Sequence, residues 1–283
     1  MIISVKRSNI YWPSQTTVIA LLFLLFPLFG FGQENLVLNH SFEEYTHCPI
    51  SLNEVNFPCK YWLPDIPVWS TPDYYNKCAS DTLLGVPYNF SGYCQPKTGN
   101  AYVGLILMVD GDNSMEHIRG KLRKPLQEGH KYTVSFYTKL AYQFSDYATY
   151  NIGAFLSRDS NVIKDNYYTD GMNPELSPSV SNGTNFIKDT NWVKISGIYI
   201  ALGGEKYITL GLFWDNTPQI VKVWGKCKGA IKLGNVSINR ILKKYMFCNN
   251  VLEEKKYVND RSKLGKPLTY YFIDDVSVID TNN

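Results

Sequence analysis

Two stretches of this chain set paired carboxylates at one end of an apolar run: residues 35–44 (NLVLNHSFEE) and 270–279 (YYFIDDVSVI). Glu43-Glu44 and Asp274-Asp275 are hard oxygen donors, the ligand type of calcium, which takes six to eight oxygens from carboxylates, amides and backbone. Both stretches read as strands. Alternation then puts only one acid of each pair on a given face. The plainer reading is exposed carboxylates at strand ends.

A second group of residues suits sugars. A sugar presents apolar C–H faces and hydroxyl edges, so its site wants an aromatic platform beside Asp, Asn or Gln. Trp62, Trp69, Asp73, Tyr74 and Tyr75 supply these within 14 residues, with Tyr93 and Gln95 further on. Trp214 and Trp224 rank second. The competing reading is that these rings cover the core, as aromatics usually do.

Catalytic signatures are absent. His40, His47, His117 and His130 show no zinc-protease spacing, and there is no Gly-x-Ser-x-Gly elbow, Walker loop or Gly-x-Gly-x-x-Gly. A glycosidase pair drawn from distant strands, such as Asp73 with Glu116, stays open, because its carboxylates need only a fixed separation. The expectation is no enzyme.

The elements that must position these residues are strands. Segments 101–108, 117–122, 132–140, 152–157, 192–201 and 207–214 are strand-like and separated by turn residues; 132–140 (YTVSFYTKL) and 192–201 (WVKISGIYIA) alternate well. With the two end stretches this gives eight or nine strands, an all-β sandwich or jelly roll. Residues 46–100 hold seven prolines and four of the six cysteines. Each proline removes a ladder donor, so this is a long loop region rather than sheet.

The start reads as a secretory signal: Lys6 and Arg7, then an apolar run of about 14 residues at 18–31, then small residues before Gln33. The expected organisation is a signal peptide at 1–32 and one domain at 33–283. The expected location is secreted, extracellular or at the outer-membrane or periplasmic face, with no membrane span in the mature chain. Six cysteines behind such a leader imply disulfides. Proximity alone pairs them as 48–59, 78–94 and 227–248. Setting aside Lys6 and Arg7 leaves 26 basic against 25 acidic residues, which gives no global electrostatic case for nucleic acid.

One segment departs from this balance. Residues 226–266 hold 11 Lys/Arg against three acids, a local charge of +8. Ile238, Ile241, Leu242, Tyr245 and Met246 fall at helical spacing there. The segment reads as an insertion, about 216–267, before the last strand, with one short helix. It is either a solvated basic face or a patch for anionic polymers.

Five stretches together resemble the carbohydrate-binding-module-like, galactose-binding-type jelly rolls of secreted and outer-membrane Bacteroidetes proteins. They are NLVLNHSFEEY (35–45), STPDYYNKC (70–78), VPYNFSGYCQPKTGNAYVGL (86–105), LQEGHKYTVSFYTKLA with YNIGAFLS (126–141 and 150–157), and YYFIDDVSVI (270–279). The resemblance implies a jelly-roll binding fold and a structural Ca²⁺ joining the first strand to the last. Its ligands would come from Asn39, Glu43 or Glu44, and Asp274 or Asp275. The resulting expectation is a non-catalytic module recognising a glycan or cell-envelope polymer. The alternatives are an adhesive surface protein that binds another protein, and a glycoside hydrolase.

Overall fold

The computed structural model describes residues 33–52, 54, 56–64, 72–109, 115–160, 177–213, 220–222 and 268–282. The signal segment, Trp69, Trp214, Trp224, Cys227, Cys248 and the basic insertion with its expected helix lie outside them. The fold below is that of the unit Asn35–Asn283.

Two five-stranded antiparallel sheets form a β-sandwich, with no helix among the described residues. The front sheet runs β11 (Val193–Ile200), β7 (Lys131–Leu140), β14 (Leu268–Asp280), β5 (Ala101–Val109), β2 (Asp73–Asn76). The back sheet runs β1 (Trp62–Pro64), β6 (Ile118–Lys121), β12 (Tyr207–Leu212), β9 (Ile152–Ser157), β10 (Val180–Ser181). Two small ribbons complete it, β3 (Tyr88–Asn89) with β4 (Gly92–Tyr93), and β8 (Tyr147–Thr149) with β13 (Ile220–Lys222).

The alternation expected at 132–140 sets the faces. Tyr132, Val134, Phe136 and Leu140 enter the core between the sheets, while Thr133, Tyr137 and Lys139 stay half-exposed on the outer face. The register carries this pattern sideways: Ile195 of β11 opposes Phe136, and Ile273 of β14 opposes Thr138. Both ends of β14 pair with β5 or β7, so the last strand lies near the middle of the front sheet.

A second core lies on the outer face of that sheet. Tyr75, Tyr102, Tyr270 and Phe272 point away from the sandwich, yet are buried with Leu84, Cys94 and Ala141. Their cover is the proline-containing stretch after β2, through Leu83, Val86 and the β3–β4 ribbon. Such rings each remove roughly 150–250 Å² from water, so the cover adds a third layer to this part of the molecule.

Two expectations are corrected here. The first stretch does not form a continuous strand. Asn35, Val37 and Tyr45 make isolated bridges, to Ile279, Leu122 and Cys59. Positive φ at Asn39 and Phe42 turns the chain between them. The end of the chain is still met, since the Leu36 N–H donates to the Val278 carbonyl at 2.9 Å. The cysteine pairing by proximity also fails. Cys48 bonds Cys78 across 30 residues, while Cys59 and Cys94 are buried free thiols. Sequence neighbours diverge because Cys59 turns under the first loop beside Asn39, and Cys94 turns beneath the cover beside Tyr102. The 227–248 pairing falls outside the described residues.

Candidate functional site

The residues expected to meet a sugar divide into two sets. Trp62, Tyr74 and Tyr75 are core residues with no face open to a ligand. The Trp62 indole N–H donates to the Asn39 carbonyl at 2.9 Å, and its ring packs on Phe42 at 4.7 Å. A Cβ on Gly120 of the neighbouring β6 would sit 2.6 Å from that ring, so glycine leaves the space Trp62 fills. The Tyr74 hydroxyl donates to the Phe42 carbonyl at 2.7 Å, and burial raises its pKa. Asp73 is buried on the outer face and accepts from the Tyr270 hydroxyl at 2.6 Å and the Tyr75 hydroxyl at 3.4 Å.

Tyr93 and Gln95 are exposed, and they belong to a larger patch. The β3–β4 ribbon sets Tyr88 against Tyr93 edge to face, with centroids 5.1 Å apart. Gly92 takes a φ of 114°, which glycine alone adopts readily, and brings the ribbon against Gln143. The Tyr93 N–H donates to Gln143 Oε1 at 2.7 Å. Gln95 Nε2 donates to the Tyr93 hydroxyl at 3.2 Å, and the half-exposed Trp192 indole donates to the Gln95 carbonyl at 2.9 Å. The result is a strip of three aromatic rings, Tyr88, Tyr93 and Trp192, flanked by two side-chain amides. Among the described hydrogen bonds none uses Gln95 Oε1 or Gln143 Nε2. An acceptor and a donor are thus left beside the rings, the complement of a sugar hydroxyl.

Trp192 and Gln143 escaped the sequence reading because each sits next to a strand far from the loop in sequence. The available signal was the 192–201 alternation, which puts Trp192 and Lys194 on one face. Beneath the strip, burial pushes the Cys94 thiol up to about 12, and the nearby Lys139 ammonium draws it partly back.

The acidic residues expected to hold calcium are engaged otherwise. Glu43 Oε1 accepts the N–H groups of Asn100 and Ala101 at 2.8 and 3.0 Å. Asp274 Oδ2 accepts those of Lys97 and Thr98 at 2.8 and 3.3 Å, and its Oδ1 accepts that of Asp275 at 2.7 Å. Asp275 accepts the Thr98 hydroxyl at 2.6 Å. The Asn39 amide bridges the Glu44 N–H, the Glu44 carbonyl and the Lys60 carbonyl. Glu44 contributes those backbone groups. Three carboxylates therefore clasp the 97–101 turn from two sides, Glu43 and Asp274 through its N–H groups and Asp275 through the Thr98 hydroxyl. Those N–H dipoles aim their positive ends at the oxygens a cation would need. Among the described residues no group of three or more acids, histidines or cysteines could hold a metal. In this arrangement the oxygens of Glu43, Asp274 and Asp275 are engaged by the 97–101 turn and by the Asp275 N–H.

Asp73 and Glu116, the distant pair left open for hydrolysis, are both buried. Glu116 Oε2 accepts the Ile106 N–H at 2.6 Å, and both acids help raise the pKa values of Tyr75 and Tyr270, after burial itself. They share one neighbourhood beneath the outer face, engaged by tyrosines and backbone.

No protein-family model and no curated protein matches the chain. Among solved structures it is similar to the CBM22-1 xylan-binding domain of Paenibacillus barcinonensis Xyn10C (12% identity, TM-score 0.39, covering 89% of this chain and 99% of that one). It is also similar to the K3 cleaved adhesin domain of Lys-gingipain from Porphyromonas gingivalis W83 (12% identity, TM-score 0.36, covering 87% and 98%). At such identities and scores the likeness says nothing about ligand or activity.

Proposed function

We propose that this protein is a secreted, non-catalytic binding module for a glycan or cell-envelope polymer, with the Tyr88–Tyr93–Gln95–Gln143–Trp192 strip as its contact surface. The observation that carries the reading is the strip itself. Rings that would ordinarily seek burial stand partly open, Tyr93 and Trp192 held by hydrogen bonds and Tyr88 by packing on Tyr93, and they are accompanied by a spare amide donor and acceptor. Sugar recognition uses that combination, an apolar platform with convergent polar groups. The core aromatics Trp62, Tyr74 and Tyr75 support the fold that presents it.

The full-length chain should bind at least one member of a panel of soluble and insoluble polysaccharides that includes peptidoglycan. Trp192→Ala and Tyr93→Ala should each weaken that binding about tenfold while leaving the melting temperature close to the parent's. Saturable binding that both variants retain at full strength would move the site elsewhere. A folded protein that binds nothing in the panel would end the glycan reading and favour the adhesive one, for which exposed Ile198, Ile200 and Leu202 at the edge of β11 offer an apolar surface.

A further inference from the structure

The cover spans only part of the outer face of the front sheet. Beyond it, around Tyr137, the face presents cations. Lys194 of β11 opposes Tyr137 in the sheet register, and Lys139 follows two residues along the same face of β7. By strand geometry that places Lys139 about 7 Å further on. Lys97, leaving the clasped turn, sets its ammonium over the Tyr137 ring at 4.7 Å from the centroid. Trp192 immediately precedes β11, and the register brings it opposite Lys139.

Neither of the described ion pairs, His47 with Glu54 and His130 with Asp280, involves any of these three lysines. The acid in the same row is Asp274, opposite Tyr137, and it is fully buried with both oxygens engaged by backbone N–H groups. Asp275 is tied to Thr98. The sheet thus gathers three positive charges around a half-exposed ring and leaves the nearest carboxylates turned inward. The patch also continues the aromatic strip, because Trp192 borders both and Gln95 and Lys97 lie on the same short segment.

We propose that Lys97, Lys139 and Lys194 around Tyr137 form a subsite for the carboxylates of an acidic, uronate-bearing glycan whose neighbouring rings lie on the Tyr93–Trp192 strip; this rests on the glycan-binding reading above. Charge complementarity selects an anionic ligand. The rings at the centre and border select one that also offers apolar faces. The cations are all lysines, compact point charges without the flat fork with which arginine grips phosphate and sulfate in two-point fashion. A string of single carboxylates suits them better.

The test compares polygalacturonate, dextran sulfate and neutral galactan on the full-length chain and two variants. One is Lys97→Gln/Lys139→Gln/Lys194→Gln. The other, Lys243→Gln/Lys244→Gln/Lys255→Gln/Lys256→Gln, removes charge from the basic insertion. The expected result is preferential binding to polygalacturonate that weakens with added salt. It should fall about tenfold in the first variant, consistent with a few exposed ion pairs, and little in the second. Lys97 and Lys194 are solvent-facing, so Lys97→Gln/Lys194→Gln serves if the change at Lys139 disturbs the packing on Cys94. An unchanged affinity in the patch variants overturns the proposal. So does a loss confined to the insertion variant, or capture of dextran sulfate with polygalacturonate ignored. Equal binding to galactan and polygalacturonate sinks this subsite while the glycan module stands. Binding to none of the panel's polysaccharides sinks both.

Discussion

At Asp274 burial and hydrogen bonding pull in opposite directions, and burial wins. The residue has no solvent exposure, and burial, then the charge of Asp275, raise its pKa from 3.8 to about 8 against the pull of three backbone N–H donors. A carboxyl whose pKa is raised by folding is ionised at the expense of the fold. Below about pH 4 the group is protonated in both states and carries no penalty. Between there and about pH 8 the folded chain holds the proton that the unfolded chain has released, so stability falls as pH rises. Each unit of separation is worth about 1.4 kcal/mol. The expected loss between pH 5 and pH 8 is on the order of 2–4 kcal/mol, read as a falling urea midpoint. Asp274→Asn keeps the acceptor oxygen and cannot ionise, so its midpoint should vary much less over the same range. An identical pH slope in that variant would show that other groups set it.

At the scale of elements, the regular strands are legible and the cover is not. Segments such as 132–140 and 192–201 declare themselves because one face is buried against the other sheet, which imposes alternation over enough residues to read. Residues 77–96 bury Leu84 and Cys94 against the outer face of the front sheet through turns, a cis Val86–Pro87 peptide and a two-residue ribbon. None of these has a period. Two of the sugar-site candidates, Tyr93 and Gln95, lie in this stretch, and nothing periodic separates Tyr75, buried under the cover, from Tyr93, which faces water. The disulfide is not legible for a related cause: Cys48 and Cys78 meet because the first loop folds back beside β2, a tertiary event. Closing 30 residues should be worth about 3–4 kcal/mol through the unfolded chain. Cys48→Ser/Cys78→Ser should therefore lower the unfolding free energy by roughly that amount in urea titration. It should also increase exchange of the Tyr75 and Phe90 amides, since the loop they hold loses its tether. A drop below about 0.5 kcal/mol would mean the hydrophobic cover alone fixes the loop.

The whole molecule poses the question of what joins its beginning to its end. In the fold that the sequence resembles, a calcium ion would do so, and the acids are placed at the two expected ends. The chain meets that need with its own groups. Asn35 Oδ1 accepts the N–H of Val278 at 3.0 Å and its Nδ2 donates to the Val276 carbonyl at 2.9 Å, while the Val276 N–H donates to the His40 carbonyl at 2.8 Å. Glu43 on the first segment and Asp274 and Asp275 on the last then hold opposite flanks of the 97–101 turn. The turn's N–H groups supply the positive charge density that a cation would have provided, and a covalent chain cannot be chelated away. If this is the whole fastening, the full-length chain should melt at the same temperature, within about 1 °C, in millimolar calcium and in EGTA. A ligand bound only by the folded state at a hundred times its dissociation constant adds about 2.7 kcal/mol. For a domain of this size a gain of that order moves the melting temperature by several degrees, well outside the predicted limit. A shift of that size on adding calcium would mean that the carboxylates release the turn to take up the ion. Glu43→Gln separates the two cases further. With a hydrogen-bonded clasp it keeps an acceptor for Asn100 and Ala101 and costs little stability in either buffer. With a calcium clasp it removes a ligand charge and should abolish the calcium-dependent part of the melting temperature.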